Sequence, residues 1–524
     1  MNKIAKNTTL LILTTLLGRA SGFIRELVLA QQFGASTISD AYVVAYTLPF
    51  VLLMGVASAM ATIYIPMFLR VSAQSEADGR HLSSNLVTIL CLLGLTISAL
   101  FSVFPQGVVR LFAVGFDAQT FDLTVLLARI MIWSLTPILL ANLFSSYLQI
   151  QGAFFICGSY TLLVNTCIIA SLLSATPGNL SVLGFGVLGG YAVACILFIC
   201  VSFKSGFRYT PVLDLKSNEI KVFFGLFLPI FLNGAVQQIN NLIDRNFAST
   251  LAEGTVSAMN YASKCQEFIT VVFVTSMVTV LFPQFSRLHN IGDHQKIKEY
   301  LSRGLNSIII FILPVTVGLI VLAKPMITLL FARGSFDEQD IRITSECLIF
   351  YSVGLIGYNV NPLISKVFYA LEDSKTPTVN SAIAVGCNIL LNIILISGMQ
   401  HRGLALASSI ASIITSTLLL ISLNKKLGSL DLRKFFFSST KICLASLVMG
   451  GIVFAANTAF AYLLGNSFLS VAVNVTVSIL LGLLIYTSLL LILRVPQVYE
   501  VLDIVKEKLK LQHFARQKRL KSMD

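Results

Sequence analysis

The chain has 524 residues, of which 56% are hydrophobic and only 12% charged, and its mean hydropathy is +0.84. Soluble domains carry about 25% charged residues; half that share cannot coat a soluble protein of this length, so a water-soluble enzyme and a disordered chain are both excluded. A net charge of +13 would suggest nucleic acid in a soluble protein, but here the charges fall in the loops between apolar segments, so no nucleic-acid partner is implied.

A helix needs about 20 apolar residues to cross the hydrocarbon core. Fourteen segments of that kind follow in order: 7–31, 40–69, 84–109, 121–150, 154–174, 183–203, 222–249, 256–285, 304–330, 342–371, 377–398, 403–423, 438–464 and 467–493. The first lacks a small-residue cleavage site and carries Arg19 and Arg25, so it reads as a span and not as a cleavable signal. Pro49 predicts a kink in the second. The connections are short, and none can hold a folded domain. Any function therefore lies among the helices. In the tail 495–524, Val498, Val501, Val505 and Leu509 fall at helical spacing. They predict an amphipathic helix on the anionic inner leaflet; a solvated tail that helps fix topology is the alternative.

Lys and Arg in short loops set orientation. With the N-terminus in the cytoplasm, the cytoplasmic side holds 26 Lys and Arg. The opposite side holds only Arg110, Lys324, Arg333, Arg342 and Arg402. That asymmetry predicts both termini inside. The nine cysteines are scattered through apolar runs without any CxxC. They read as small buried hydrophobes, not as disulfides or metal ligands.

The chain also repeats itself at an offset of 217 residues. Ala41/Ala258, Ala45/Ala262, Met60/Met277, Thr62/Thr279, Pro66/Pro283, Phe68/Phe285 and Arg70/Arg287 are identical pairs. Leu111-Phe112-Ala113-Val114-Gly115-Phe116-Asp117 recurs as Leu330-Phe331-Ala332-Arg333-Gly334-Ser335-Phe336-Asp337, with one residue inserted. Six spans separate the copies, so both enter the membrane in the same direction, as in transporters built from parallel repeats. The expected fold is all-α and integral to the membrane, with fourteen transmembrane helices. Its divisions are a six-helix lobe (1–203), a second six-helix lobe (204–424), two further spans (425–494) and the basic tail (495–524). Rocking of the two lobes would give alternating access.

Six basic residues lie within spans: Arg19, Arg25, Arg129, Arg245, Lys264 and Lys366. Each is costly at the bilayer centre unless it faces protein or water. Acids there are fewer: Glu26, Asp244, Glu267 and Glu346, with Asp40 at a boundary. Arg19 and Glu26, seven apart, share a helical face, as do Lys264 and Glu267, three apart. Ion pairs that hold the bundle together are one reading. The surplus of positive charge favours another, an anion-binding cavity, because Arg forks suit phosphate oxygens. Gly18 and Gly22 flank Arg19 as GxxxG, which permits close helix approach. Asn388 and Asn392 stand one turn apart. With Asp244 and Ser408 they form either an oxygen-rich site for a small hard cation or an interhelical hydrogen-bond cluster.

Several ordered motifs then resemble one family. Gly18-Arg19-Ala20-Ser21-Gly22-Phe23-Ile24-Arg25-Glu26, Phe33-Gly34-Ala35, Asp40-Ala41-Tyr42 and Leu48-Pro49 resemble the opening of the MurJ (MviN) lipid II flippases, within the multidrug/oligosaccharidyl-lipid/polysaccharide exporter superfamily. Asp244-Arg245 with Phe247-Ala248-Ser249, Glu253-Gly254 and Ser257-Ala258-Met259-Asn260-Tyr261-Ala262 is similar to their seventh and eighth spans, and Phe368-Tyr369-Ala370-Leu371-Glu372-Asp373 with Thr376-Pro377 to the end of their tenth. The resemblance implies a cationic central cavity and a cargo of lipid II, the undecaprenyl-pyrophosphate-linked peptidoglycan precursor, moved from inner to outer leaflet of the bacterial cytoplasmic membrane. It carries substrate contact over to Arg19, Arg25, Lys264, Glu26 and Asp40, and a sodium site to Asp244, Asn388, Asn392 and Ser408. No enzymatic step and no cofactor are implied. Sodium, protons and membrane potential are the candidates for coupling, and a monomer in the bilayer is expected. One departure is that Pro49 is followed by Phe50-Val51-Leu52-Leu53-Met54-Gly55, where the family carries arginines.

Three other readings set the contrast. Another polyprenyl-linked oligosaccharide would keep the chemistry and change the glycan. A drug/cation antiporter on the same scaffold would be expected to have an acidic cavity. A membrane glycosyltransferase would need paired carboxylates or metal ligands at the surface, and the loops offer only scattered acids and five isolated histidines.

Overall fold

The computed structural model describes residues 3–53, 60–270, 276–428, 432–465 and 467–495, together with Val56 and Val274. Among these the chain is helical, and no strand occurs. The helices are α1 (Lys3–Phe33), α2 (Thr37–Leu52), α3 (Ile65–Gln74), α4 (Glu76–Val103), α5 (Pro105–Phe112), α6 (Ala118–Met131), α7 (Leu135–Ile150), α8 (Phe154–Ser174), α9 (Ser181–Lys204), α10 (Asn218–Ser249), α11 (Thr255–Thr270), α12 (Ser276–Asn290), α13 (His294–Val321), α14 (Ala323–Phe331), α15 (Glu338–Val353), α16 (Leu355–Ala370), α17 (Lys375–Met399), α18 (His401–Leu427), α19 (Leu432–Leu464) and α20 (Phe468–Ile492). Side-chain caps start several of the long ones: Ser75 accepts the Asp78 N–H ahead of α4, Asp117 accepts the Gln119 and Thr120 N–H groups ahead of α6, and Asp293 accepts the Lys296 N–H ahead of α13.

Among the described residues, helix is found in each of the fourteen apolar segments. By length and hydropathy, nine helical stretches among the described residues can cross a bilayer, or ten if α15 and α16, bent by 46°, form one span. The other four segments lie on α1, α2–α3, α10 and α11–α12. Of these, α1, α10 and α11 carry most of the intramembrane charge. α2 ends at Leu52, three residues past Pro49, and a π-helical turn at Met60–Tyr64 leads into α3. The expected amphipathic tail helix and the Met54-Gly55 segment lie outside the described residues.

Two compact units emerge. The first holds residues 1–268, 330–347 and 381–408; the second holds 269–329, 348–380 and 409–524. Within the first, α1 packs on α8, α8 on α9, α9 on α6 and α7, and α2 on α6. Gly18 faces Thr161 and Gly22 faces Asn165, so the GxxxG pair lets α1 lie close to α8. Within the second, α13 packs on α16 and α19, and α19 on α20. The Tyr486 hydroxyl donates to the Ile310 carbonyl at 2.6 Å and ties α20 to α13. Leu480, Leu483, Leu484 and Ile492 on α20 are exposed, as a lipid-facing helix requires.

Candidate functional site

The charged residues of α1 divide between two environments. Close packing on α8 brings Asn165 against α1, where its amide donates to Ser21 Oγ at 2.9 Å. Asn165 Oδ1 accepts from Arg25 at 3.3 Å. Arg25 also donates to the Tyr46 hydroxyl at 2.6 Å and to Glu26 at 2.5 Å, with its guanidinium 4.5 Å from the Tyr46 ring centre. It is buried and held inside the first unit. The second Glu26 oxygen accepts from Asn260 of α11 at 2.9 Å.

Arg19 reaches a different partner. Its Nη1 lies 3.0 Å from Glu267 Oε1, and Lys264 Nζ lies 2.6 Å from Glu267 Oε2. These side chains are 51%, 36% and 45% exposed for Arg19, Lys264 and Glu267. Charges exposed midway along apolar helices are tolerated where they border water and not lipid. Phe23, one turn on from Arg19, packs on Phe268 with ring centres 5.5 Å apart, which fixes α1 beside α11 at this point. The shared face expected of Arg19 and Glu26 therefore does not become a pair. What the site presents is a guanidinium fork and an ammonium, on two helices, converging on one carboxylate. Phosphate oxygens suit such an arrangement.

Asp40 does not meet these cations. It accepts the Gly254 N–H at 2.9 Å and the Ser257 N–H at 2.7 Å, so it caps α11. Its own helix is capped in exchange, because Glu253 accepts from the Thr37 N–H at 2.8 Å and from the Thr37 hydroxyl. Asp40 and Ser257 are 217 apart, so the two repeat-related helices exchange caps. The duplicated Phe-Ala-x-Gly motif behaves likewise. The Gly115 N–H donates to Ser249 Oγ at the end of α10. In the second copy, the Ser335 N–H donates to the Gln31 carbonyl near the end of α1 at 2.9 Å. A Cβ on Gly334 would sit 2.1 Å from that carbonyl oxygen. The Ala35 N–H donates to Asp340, and the Tyr261 hydroxyl to the Gly34 carbonyl. Together these bonds seal one end of the first unit.

The four residues of the expected ion site are brought together. Asp244 Oδ1 accepts from Asn388 at 2.7 Å and Asn392 at 2.8 Å, and its Oδ2 accepts from Ser408 at 2.8 Å. Asn240, one turn before Asp244, joins by accepting from Asn388 at 2.9 Å. Asn388 Oδ1 and Asn392 Oδ1 are buried without a hydrogen-bond partner. A carboxylate beside two unsatisfied amide oxygens fits a hard monovalent cation. Arg245, on the next residue, points elsewhere and donates to the Val43 carbonyl of α2 at 3.1 Å.

Other clusters have structural roles. Glu346 receives a two-pronged Arg402 contact and lies 2.7 Å from His401. Asp373 caps α17 through Thr376 and pairs with Lys426 at 2.6 Å. Burial raises its pKa, but the Lys426 and Thr376 contacts outweigh that and hold the carboxyl at about 2. Lys366 rests over the Phe282 and Tyr369 rings, and Arg129 is exposed on α6. Among the described residues no cluster of three or more His, Cys, Asp or Glu side chains is placed to hold a metal ion. The sequence singled out neither Asn165 nor Asn240. Only Asn240 had a local signal, its one-turn spacing from Asp244.

Fold and site together define a multi-pass helical membrane protein with an internal duplication and a partly exposed cationic centre, the class of a membrane transporter. The family model of the lipid II flippase MurJ matches residues 29–473. The chain belongs to that family. It is 29% identical over 499 residues to a probable lipid II flippase MurJ of Thermotoga maritima, covering 95% of this chain and 98% of that protein. To the lipid II flippase MurJ of Burkholderia cenocepacia it is 28% identical, covering 79% and 82%. A solved structure of lipid II flippase MurJ in an inward closed conformation superposes with a TM-score of 0.77 at 28% identity, over 93% of this chain and 99% of that one. An inward-facing multidrug transporter of the MATE family shares the fold at a TM-score of 0.60, with 14% identity, over 80% and 95%.

Proposed function

We propose that this protein flips lipid II, the undecaprenyl-pyrophosphate-linked peptidoglycan precursor, from the inner to the outer leaflet of a bacterial cytoplasmic membrane, supplying cell-wall synthesis. Membership of the lipid II flippase family supports the cargo. The single observation in the chain that carries the chemistry is the convergence of Arg19 and Lys264 on one partly exposed anion position. The pyrophosphate takes that position, held by the fork and the point charge. Arg25, Glu26 and Asp40 shape the surroundings: Arg25 and Glu26 fix α1 beside Asn260 and Tyr46, and Asp40 fastens the sealed end.

The protein works as a monomer with fourteen spans and both termini cytoplasmic, and it performs no covalent chemistry. Two six-helix lobes, 1–203 and 204–424, alternate access, while the spans of 425–494 serve the lipid tail. With this topology the cap exchange between α2 and α11 falls on the outer side. Sodium at Asp244, Asn388, Asn392 and Ser408 is the favoured coupling ion. Depleting the protein in its native host is the test. Lipid II should accumulate on the inner leaflet while its synthesis continues. Unchanged leaflet distribution would remove the flippase reading, and accumulation of a different polyprenyl-linked glycan would reassign the cargo.

A further inference from the structure

Resting on the flippase reading, we propose that Glu267 is a built-in counter-ion that stands in for the cargo's pyrophosphate and so allows the empty carrier to return. Its two carboxylate oxygens engage the two cations that would hold the cargo, Oε1 with Arg19 at 3.0 Å and Oε2 with Lys264 at 2.6 Å. All three side chains are partly exposed, so a ligand can displace the carboxylate without dismantling a buried pair. The Phe23–Phe268 contact beside it keeps α1 and α11 adjacent whether or not the ions are engaged.

Charge decides what this arrangement can do. Arg19, Lys264 and Glu267 sum to +1 when the site is empty. A pyrophosphate diester carries two negative charges, so the loaded site sums to −1. Both strokes of the cycle then carry one uncompensated charge through the low-dielectric interior. Without Glu267 the loaded site is neutral and the empty site is +2. Uncompensated charge in such an environment is expensive. The empty return stroke would then become slow, and the loaded stroke would not.

Proteoliposomes with fluorescent lipid II separate the two strokes. Net flipping, with lipid II in one leaflet only, needs the empty return. Exchange, with lipid II in both leaflets and the label in one, needs only the loaded stroke. In Glu267→Gln, net flipping should fall about tenfold or more, while exchange stays within about threefold of the parent. Glu267→Asp keeps the charge and should keep net flipping. Lys264→Gln gives a neutral empty site and a −2 loaded site, so both rates should fall. Lys264→Gln combined with Glu267→Gln restores +1 and −1, so its ratio of net flipping to exchange should return toward the parent value. That rescue can be read even if Glu267→Gln alone does not insert. Equal loss in both modes for Glu267→Gln, or no rescue in the double variant, overturns the counter-ion role while the flippase reading stands. No movement of lipid II by the unmodified protein in either mode overturns the flippase reading itself.

Discussion

Arg19 and Arg25 are six residues apart on one helix, yet their surroundings give them different work. Arg25 is enclosed by Glu26, Tyr46 and Asn165, and truncating one partner of such a buried pair costs about 3–5 kcal/mol. Arg19 lies half in solvent against Glu267, where a pair is worth at most about 1 kcal/mol to stability. Under the flippase proposal its contribution is to ligand binding. Asp244 resembles Arg25 in being enclosed, but its neighbours leave two amide oxygens unsatisfied. A cation joining them binds the folded protein and raises its stability by mass action. Sodium should therefore raise the melting temperature of the solubilised protein relative to choline chloride at equal ionic strength. Asp244→Asn, which preserves shape, should abolish the difference. A sodium shift that persists in Asp244→Asn would place the ion elsewhere.

Helix ends do what single residues cannot. The first N–H groups of a helix lack intrahelical partners. In α2 and α11 those groups are met by acids from the opposite repeat, Glu253 and Asp40. Gly254 is the hinge of this exchange. Its φ is +79°, and a Cβ there would sit 2.1 Å from the Ala35 carbonyl oxygen. Gly254→Ala thus combines a left-handed backbone with overpacking of about 1–3 kcal/mol. It should weaken the seal. A cysteine probe at Ser257, buried in the sealed form, should become reactive toward a membrane-impermeant thiol reagent from outside in a background lacking the native cysteines. Gly225→Ala, which meets nothing within 4 Å, is the control and should leave the probe protected. Equal protection in Gly254→Ala would show that the cap exchange is not what closes this end.

At the scale of the molecule, orientation follows from loop charge. Twenty-six basic residues on one side against five on the other is a strong bias under the positive-inside rule. Ala252 and Lys296 lie on opposite sides in the fourteen-span topology. In a cysteine-free background, a single cysteine at Ala252 should react with an impermeant reagent applied to intact cells, and one at Lys296 should react only after permeabilisation. The reverse pattern would invert the protein and move the sealed end to the cytoplasm.

Hydropathy by itself determined the helical membrane class, because each span must satisfy its own backbone in lipid and is therefore written continuously in the chain. Spacing likewise made the Lys264–Glu267 pair and the Asn388–Asn392 turn legible, since a helix fixes neighbours three and four apart. Partners on different helices had no such local record. That Arg19 pairs with Glu267 and not Glu26, that Asn165 holds Arg25, and that Asp40 caps α11 and not α2 depends on which helices pack together and at what depth. The 217-residue repeat shows which helices are equivalent, but not that they trade caps. Only the tertiary packing brings the start of each repeat's helix against the start of the other's, because the unsatisfied N–H groups there take whichever carboxylate the packing delivers.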